Sequence, residues 1–331
     1  MTTAGDGVLV DCAGARMGGA LRLLRELDSY LRARPSHGIR VIGRDRRLTP
    51  TWVVRRERPG RYERAVALNN VAFLRTGRER RVLLRNVLHF LAPDDVRGIP
   101  GGLPVGIRVD ARVVRACAAR ADAIVVPTNH MADRVRTACP SLSTRLVVRP
   151  HPLTAPPPVP AHERTPGQLL CPVVFERFKA MGDVLRTADH AADLVEAHLG
   201  TEVTIVVTAS VKEAAGEGIL DCRHLRFAGR LSPERLEAFQ RSSQAVLYPT
   251  RIESFGYPLA EARVAGVPVV ARDTAQNREV AGPSLIGYER QEVESMAAAL
   301  QAALSAKLER EAANPFDPGR YFDWLLGRAD R

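Results

Sequence analysis

The stretch over residues 250–271, TRIESFGYPLAEARVAGVPVVA, limits the fold more tightly than anything else in the chain. Val246, Leu247 and Tyr248 just before it form a short apolar run of strand type. Pro258 suits the first turn of a helix, where the amide hydrogen it lacks would have no intrahelical partner. Residues 259–265 continue that helix, and Gly266 stands where a glycine C-cap belongs. Residues 267–271 are apolar throughout, as strands covered on both faces are. A strand–loop–helix–strand unit of this kind predicts an α/β domain with a parallel sheet. It places Glu253 in the loop and Glu261 one turn into the helix.

A length of 331 residues gives room for about two such domains. No run of 18 or more apolar residues occurs, so no membrane span is expected. The first six residues lack the charged-then-apolar pattern of a signal peptide. Five cysteines, Cys12, Cys117, Cys139, Cys171 and Cys222, are scattered and make no Cys-x-x-Cys pair. They read as reduced thiols of a cytoplasmic protein without a zinc site. The net charge of +11 is unevenly placed. Residues 1–150 hold 28 Lys and Arg against 13 Asp and Glu, a balance of +15, whereas residues 151–331 balance at −4. A general preference for arginine does not explain that asymmetry. A positive first half points to an anionic partner, such as a phosphorylated acceptor, an acidic lipid surface or a nucleic acid.

The opening of the chain repeats the α/β pattern. Residues 7–12 read as a strand and residues 13–19 as a glycine-rich turn containing Gly18 and Gly19. Ala20, Leu23, Leu24, Leu27 and Leu31 then follow at helical spacing. These glycines do not form a Gly-x-Gly-x-x-Gly fingerprint, so a dehydrogenase is a poor reading. Residues 40–43 and 51–54 read as strands, the rest of the Arg-rich segment 44–64 as exposed loop, and residues 65–73 as helix. Residues 81–90 read as a strand leading into a polar loop, with Asn86 and His89 near its carboxyl end, where open α/β sheets bind ligands. Asp94 and Asp95 read as a helix-start feature rather than a metal site. A helix over 109–120, a buried strand over 121–128, a helix over 129–137 and a strand over 145–152 complete the first half.

Residues 154–167 are Pro-rich and read as a linker. A second α/β domain follows, with a helix over 183–199, a strand at 203–207, a strand and loop over 225–231, and Ser232 with Pro233 starting another helix. Residues 277–282 and 291–312 read as helical. Phe316, Tyr321, Phe322 and Trp324 concentrate aromatic surface in the tail, which predicts a last helix packed back on the first domain.

The 250–271 stretch also has the chemistry to hold a phosphorylated sugar. A helix start offers amide hydrogens and partial positive charge, Gly256 lets a ligand approach the backbone, and two carboxylates can accept from pairs of hydroxyls. Two glutamates eight apart are, alone, ordinary solvated charges. Together with Ser254, Phe255, Gly256, Tyr257, Pro258 and the Gly266-Val267-Pro268-Val269-Val270 run, the string resembles the Glu-x7-Glu signature of the family 4 retaining glycosyltransferases. Stretches resembling that family's Ala-Asp-x-Ile-x-Val-Pro and Val-x-x-Pro-His segments occur at 121–127 and 147–151. The resemblance implies an α/β protein of the GT-B fold, two Rossmann-like domains facing across a cleft. The boundaries would be 1–153 for an acceptor domain, 154–167 for the linker, 168–312 for the nucleotide-sugar domain and 313–331 for the returning helix.

The resemblance also assigns roles. Glu253 would contact the transferred sugar, Glu261 the ribose hydroxyls, and Ser254 to Tyr257 the sugar and diphosphate. Lys179, with Arg177 as its assistant, would bind the donor diphosphate, although the family spaces that pair by about five residues and here they stand two apart. Gly18 and Gly19 would lie near the diphosphate, Gly229 and Arg230 near the base, and Asn86 and His89 near the acceptor. The implied reaction takes a sugar from a nucleotide-diphosphate sugar to an acceptor hydroxyl, with no resident cofactor and no metal, since no Asp-x-Asp motif occurs. The acceptor would be anionic, membrane-associated or a small natural product, with nucleic acid not expected and the protein cytoplasmic or peripheral at a membrane. A catalytically idle nucleotide-sugar or nucleic-acid binding protein is the rival reading.

Overall fold

The structure is a computed structural model that describes residues 7–36, 38–97, 99, 102–158, 160–176, 179 and 181–328. The chain divides into two compact units. One comprises Met1–Gly98, Gly102–Thr154 and Pro315–Arg331; the other comprises Ile99–Gly101 and Ala155–Asn314.

In the first unit the elements run β1 (Val8–Asp11), α1 (Gly18–Ala33), β2 (Ile39–Ile42), α2 (Pro50–Arg55), β3 (Arg64–Ala67), β4 (Glu79–Leu83), α3 (Pro93–Arg97), α4 (Val105–Ala118), β5 (Ala123–Val126), α5 (Asn129–Ala138) and β6 (Leu146–Val148). In the second they run β7 (Thr165–Cys171), α6 (Met181–Leu199), β8 (Thr204–Val207), α7 (Val211–Gly216), β9 (Leu225–Phe227), α8 (Pro233–Ser242), β10 (Ser243–Tyr248), α9 (Tyr257–Ala265), β11 (Val269–Arg272), α10 (Ala275–Ala281), β12 (Leu285–Tyr288) and α11 (Val293–Ser305). The last helix, α12 (Pro318–Leu326), belongs to the first unit.

Each unit holds a six-stranded parallel sheet. The orders are β2-β1-β3-β4-β5-β6 and β12-β11-β10-β7-β8-β9. The alternation of strand and helix produces this, because a parallel pair needs a crossover that a helix provides. Both sheets reverse strand order beside their first strand, β1 in one and β7 in the other, which is the crevice where doubly wound sheets bind ligands.

The first core joins Leu23, Leu24 and Leu27 of α1 to Val10, Val66 and Leu83 of the sheet and to Phe322, Leu325 and Leu326 of α12. Tyr30 and Phe322 meet with ring centroids 5.1 Å apart. Asp323 accepts from the Tyr30 hydroxyl at 2.6 Å and pairs with Arg34. The second core packs Val184, Leu185 and Ala188 of α6 and Met296, Leu300 and Ala303 of α11 against Leu169, Ile205 and Leu247.

Several expectations are corrected by the fold. Residues 51–54 are helical, because Thr49 caps α2 through its hydroxyl, which accepts from the Trp52 N–H at 3.2 Å, and Pro50 takes the first helical position. Residues 64–67 form β3 rather than part of a helix over 65–73: Ala65, Val66 and Ala67 are all buried, as a central parallel strand requires. The segment 44–64 is not wholly exposed. Arg56 is entirely buried and pairs with the equally buried Asp11. Asp11 also accepts from Asn69 at 2.7 Å, from the Trp52 indole at 3.1 Å and from the Ala13 N–H at 3.0 Å, so its charge is met on every side. The strand read over 81–90 ends at Leu83 and is followed by a 3-10 turn, Val87–Phe90. Helix α1 starts two residues early, on Gly18 itself, β7 starts at Thr165 inside the span read as linker, and α11 is shorter than 291–312.

Two buried histidines give the units opposite responses to pH. Burial, helped by the charge of Arg85, pulls the pKa of His151 in the first unit from 6.5 down to about 3. The unfolded chain takes up that proton and the folded unit refuses it, so the first unit loses stability as pH falls from about 6.5 toward 3. In the second unit burial opposes protonation of His224, but hydrogen bonds to Asp193 and the Val203 carbonyl, with the charge of Glu196, raise its pKa above 6.5. That stabilisation is complete below 6.5 and is lost as pH rises through the raised value. Scanning calorimetry at about pH 5 and about pH 8 is expected to move the two transitions in opposite directions. His151→Gln and His224→Gln should each flatten one of them.

Candidate functional site

The loop between β10 and α9 carries the densest set of candidate residues. Strand β10 ends in Tyr248, whose side chain is buried and whose hydroxyl lies directly under Gly256. A Cβ on Gly256 would stand 2.8 Å from that oxygen, and the residue has a φ of +85°. Only glycine satisfies both conditions, and it serves as the N-cap of α9. Gly256→Ala is therefore expected to destabilise the second unit by about 1–3 kcal/mol and to displace the start of α9, read by urea unfolding and amide exchange.

Glu253 bends back on its own loop, with Oε1 accepting from the Ser254 N–H at 3.1 Å. Its Oε2 lies 3.7 Å from Nζ of Lys179, which stands just before α6 and whose N–H donates to the Glu176 carbonyl at 2.8 Å. Both side chains remain partly open, 31% for Glu253 and 16% for Lys179, so an ionic ligand can reach them. Burial first, and then the Glu253 charge, push the Tyr248 hydroxyl well above its ordinary pKa, keeping it neutral beneath this pair.

Phe255 is buried and meets the Tyr257 ring edge-on at 5.3 Å. Its carbonyl accepts from Gln276 of α10 at 2.7 Å. Gln276 is itself buried and fixes the loop from a second helix. Glu261 accepts from Gln240 of α8 at 2.7 Å, which aims its carboxylate toward the end of that helix. Sequence reasoning missed Gln240 and Gln276 because neither belongs to the motif; each reaches it from a separate helix 21 residues away.

Gly229 and Arg230 lie in the loop between β9 and α8. The Gly229 N–H donates to the Ala209 carbonyl at 2.9 Å. Arg230 reaches Glu213 at 2.5 Å. Hydrogen bonds from the Ser210 backbone and hydroxyl, and then from Arg230, hold the Glu213 carboxyl below its usual pKa. Ser210 and Glu213 form a reciprocal capping box on α7, a signal present in the sequence as Ser-x-x-Glu. Arg230 is thus engaged by α7, a partner its position in the sequence did not suggest. Arg177 lies outside the described residues.

In the first unit Gly18 and Gly19 are the first two residues of α1, behind Met17, which makes no side-chain cap bond. Asn86 caps the 3-10 turn at Val87–Phe90, accepting from the Leu88 N–H at 3.1 Å. Its Nδ2 lies 3.2 Å from Nε2 of His89. Asn70, with a φ of +66°, accepts from the N–H groups of Arg85 and Asn86 and so holds this turn against the end of β4. His89 is buried, and burial lowers its pKa, with Asp110 opposing and Arg115 assisting. A neutral imidazole receiving from Asn86 carries its proton on Nδ1. Asp95 acts at a helix start, accepting from the Ala92 N–H and pairing with Arg134. Asn86 and His89 are therefore brought together, as are Lys179, Glu253 and the 254–257 loop.

Comparison with known proteins bears on the fold and on the sequence of the second unit. Residues 213–315 match the family model described as "Glycosyl transferases group 1", a span holding every motif residue from Gly229 to Glu261. No curated protein matches the chain in sequence. Among solved structures, WaaG, titled a glycosyltransferase involved in lipopolysaccharide biosynthesis, superposes with a TM-score of 0.62 at 14% identity over 97% of this chain and 100% of its own. Sucrose-phosphate synthase from Thermosynechococcus elongatus gives 0.61 at 12% identity over 98% and 97%. A point mutant of S. aureus TarM, in complex with UDP and other ligands, gives 0.53 at 14% identity over 80% of this chain. The chain spans only about half of TarM, 52%. At these identities the likeness to solved structures is one of fold. The chain thus has the GT-B fold of these structures, and residues 213–315 match the model of the group 1 glycosyltransferases.

Proposed function

We propose that this protein is a retaining glycosyltransferase of the Glu-x7-Glu kind, which moves a sugar from a uridine-diphosphate sugar to an acceptor hydroxyl. The observation that carries the reading is the Lys179–Glu253 pair, 3.7 Å apart, set against the loop that starts α9. The pair puts a cation where a diphosphate would sit and a carboxylate where sugar hydroxyls would donate. Uridine diphosphate is favoured because it is named for TarM, and a trehalose-phosphate synthase of this fold is titled UDP-forming.

In this reading the bond between the sugar's anomeric carbon and the β-phosphate oxygen breaks as the acceptor oxygen bonds to that carbon on the same face. Uridine diphosphate leaves, and its phosphate oxygen takes the acceptor's proton. Negative charge grows on the leaving group, where Lys179 and the α9 N-terminus stabilise it electrostatically. A fixed cation in that place means the reaction as proposed calls for no divalent metal. Glu253 orients the sugar through its hydroxyls, and Glu261, aimed by Gln240, takes the ribose hydroxyls. Ser254, Phe255, Gly256 and Tyr257 line the diphosphate and sugar, Gly229 and Arg230 the base, and Gly18 and Gly19 assist at the start of α1. The first unit takes the acceptor through Asn86 and the neutral His89. Its positive balance favours an acceptor that carries negative charge.

A thermal-shift panel of nucleotide sugars tests the reading, because a ligand that binds only the folded state raises its melting temperature. A shift with uridine-diphosphate sugars, followed by release of uridine diphosphate, supports it. A shift without turnover on any acceptor would favour the idle binding protein, and no shift at all would remove the donor site.

A further inference from the structure

Gln276 is a long polar side chain in the first turn of α10, yet only 6% exposed. A buried amide must find its partners inside the protein, and the Nε2 of Gln276 finds the Phe255 carbonyl at 2.7 Å. It reaches that carbonyl from a fixed base. The Thr274 hydroxyl caps α10 by accepting from the Asn277 N–H at 3.1 Å, and Nδ2 of Asn277 donates back to the Arg272 carbonyl at 2.8 Å. The bonded carbonyl sets the peptide that follows it. The described residues contain no cis peptide, so the Gly256 N–H points opposite to the Phe255 carbonyl, away from Gln276. Among the described residues no acceptor meets that N–H. Gly256 is also where the orientation is least secure. Its φ is +85°, and without a Cβ it changes the sign of φ at little cost, so the 255–256 peptide can turn over. Turned over, it would present an oxygen where it now presents an N–H. A larger residue cannot prevent this, because the Tyr248 hydroxyl stands 2.8 Å from where a Cβ would be. A glycine imposed by packing needs its peptide fixed from outside, and Gln276 is placed to fix it.

We propose that Gln276 is a positioning residue for the donor, locking the 255–256 peptide so that the Gly256 N–H faces the diphosphate. Gln276 touches neither sugar nor phosphate and acts through the backbone of the loop. An N–H fixed before the reaction stabilises developing negative charge without reorganising. A peptide free to turn over would, for part of the time, offer an oxygen to an anion. This role rests on the glycosyl-transfer reading, since it needs a diphosphate at the start of α9. It adds to that reading a residue outside the motif, and it explains why a polar side chain is buried behind the loop.

Phe255-Gly256 is the one Phe-Gly pair in the chain. Carbon-13 at the phenylalanine carbonyls with nitrogen-15 at the glycines therefore isolates its amide in the magnetic-resonance spectrum of the full chain. Uridine diphosphate is the probe, with calorimetric titration alongside to establish that it binds. In the native chain the Gly256 amide proton is expected to move downfield on saturation, as a charge-assisted hydrogen bond to phosphate requires. Gln276→Leu should bind uridine diphosphate within about tenfold of the native chain yet show less than about half of that movement. With a uridine-diphosphate sugar its kcat should fall about tenfold to a hundredfold while KM for the donor stays within about threefold. If Gln276→Leu lowers the melting temperature, Gln276→Met, closer in length and also without a donor, carries the same test. A native amide that stays in place while uridine diphosphate binds would overturn this inference and leave the donor site standing. Full movement and native kcat in both variants would show that Gln276 is not the lock. Loss of binding in step with loss of melting temperature in both would make it a packing residue. No binding to the native chain would remove the donor site, and this role with it.

Discussion

Lys179→Ala is expected to slow sugar transfer about 10²–10³-fold while weakening donor binding by less than about tenfold. The asymmetry follows from when the charge is needed. In the ground state the ammonium already has Glu253 at 3.7 Å, so the donor gains little new attraction on binding. As the glycosidic bond stretches in the proposed reaction, the diphosphate acquires negative charge beside the ammonium of Lys179, whose backbone N–H donates to the Glu176 carbonyl just ahead of α6. Interactions that strengthen only then raise the rate without tightening the ground state. Removing the lysine also leaves the Glu253 carboxylate facing the leaving group without the ammonium between them. Lys179→Arg should recover part of the rate, since charge is restored but shape is not. Steady-state kinetics with a uridine-diphosphate sugar checks this, and near-native turnover in Lys179→Ala would place the diphosphate elsewhere.

The largest loss of stability is expected from Asp11→Ala, about 3–5 kcal/mol for the first unit. The cost comes from what remains. Arg56 is fully buried, stacks over Phe73 with its guanidinium carbon 4.3 Å from the ring centre, and donates to the carbonyls of Val71 and Ala72 at 2.7 Å. Those carbonyls accept only from its Nη2 and leave its charge unmatched once Asp11 is gone. Arg56→Met in the same chain should return a large share of the loss, because a buried pair replaced by apolar groups of similar volume is often neutral. Both tryptophans, Trp52 and Trp324, lie in the first unit, so their fluorescence follows that unit alone during urea unfolding. A loss below about 1 kcal/mol would show that the network is not sustaining the unit.

The second unit's motif was legible because its signals are local and agree. Pro258 in the first turn, Gly266 at the C-cap and the apolar strand after it are each set by backbone chemistry within a few residues. The first unit was less legible where burial overrides pattern. Residues 65–67 have the composition of a helix and are a strand because a central parallel strand is covered on both faces. The β-branched pair Val53 and Val54 suggested a strand, yet Thr49 and Pro50 start a helix, a signal that was available and outranked. Arg56 could not have been found, since its partner Asp11 is 45 residues away and only the parallel pairing of β1 with β3 brings that neighbourhood together. At the candidate site the glutamates, Lys179 and the loop glycine were readable. Gln240 and Gln276 were not, because a residue that aims another from a different helix leaves no trace in spacing.

The central claim, that Glu253 and its loop grip the sugar of an activated donor, is tested most directly by calorimetric titration of the native chain and Glu253→Gln with uridine diphosphate and with a uridine-diphosphate hexose. The account predicts that both ligands bind the native chain, that the hexose adds affinity there, and that Glu253→Gln keeps the nucleotide affinity while losing the increment from the sugar. Equal increments in the two proteins, or no binding of either ligand to the native chain, would contradict it.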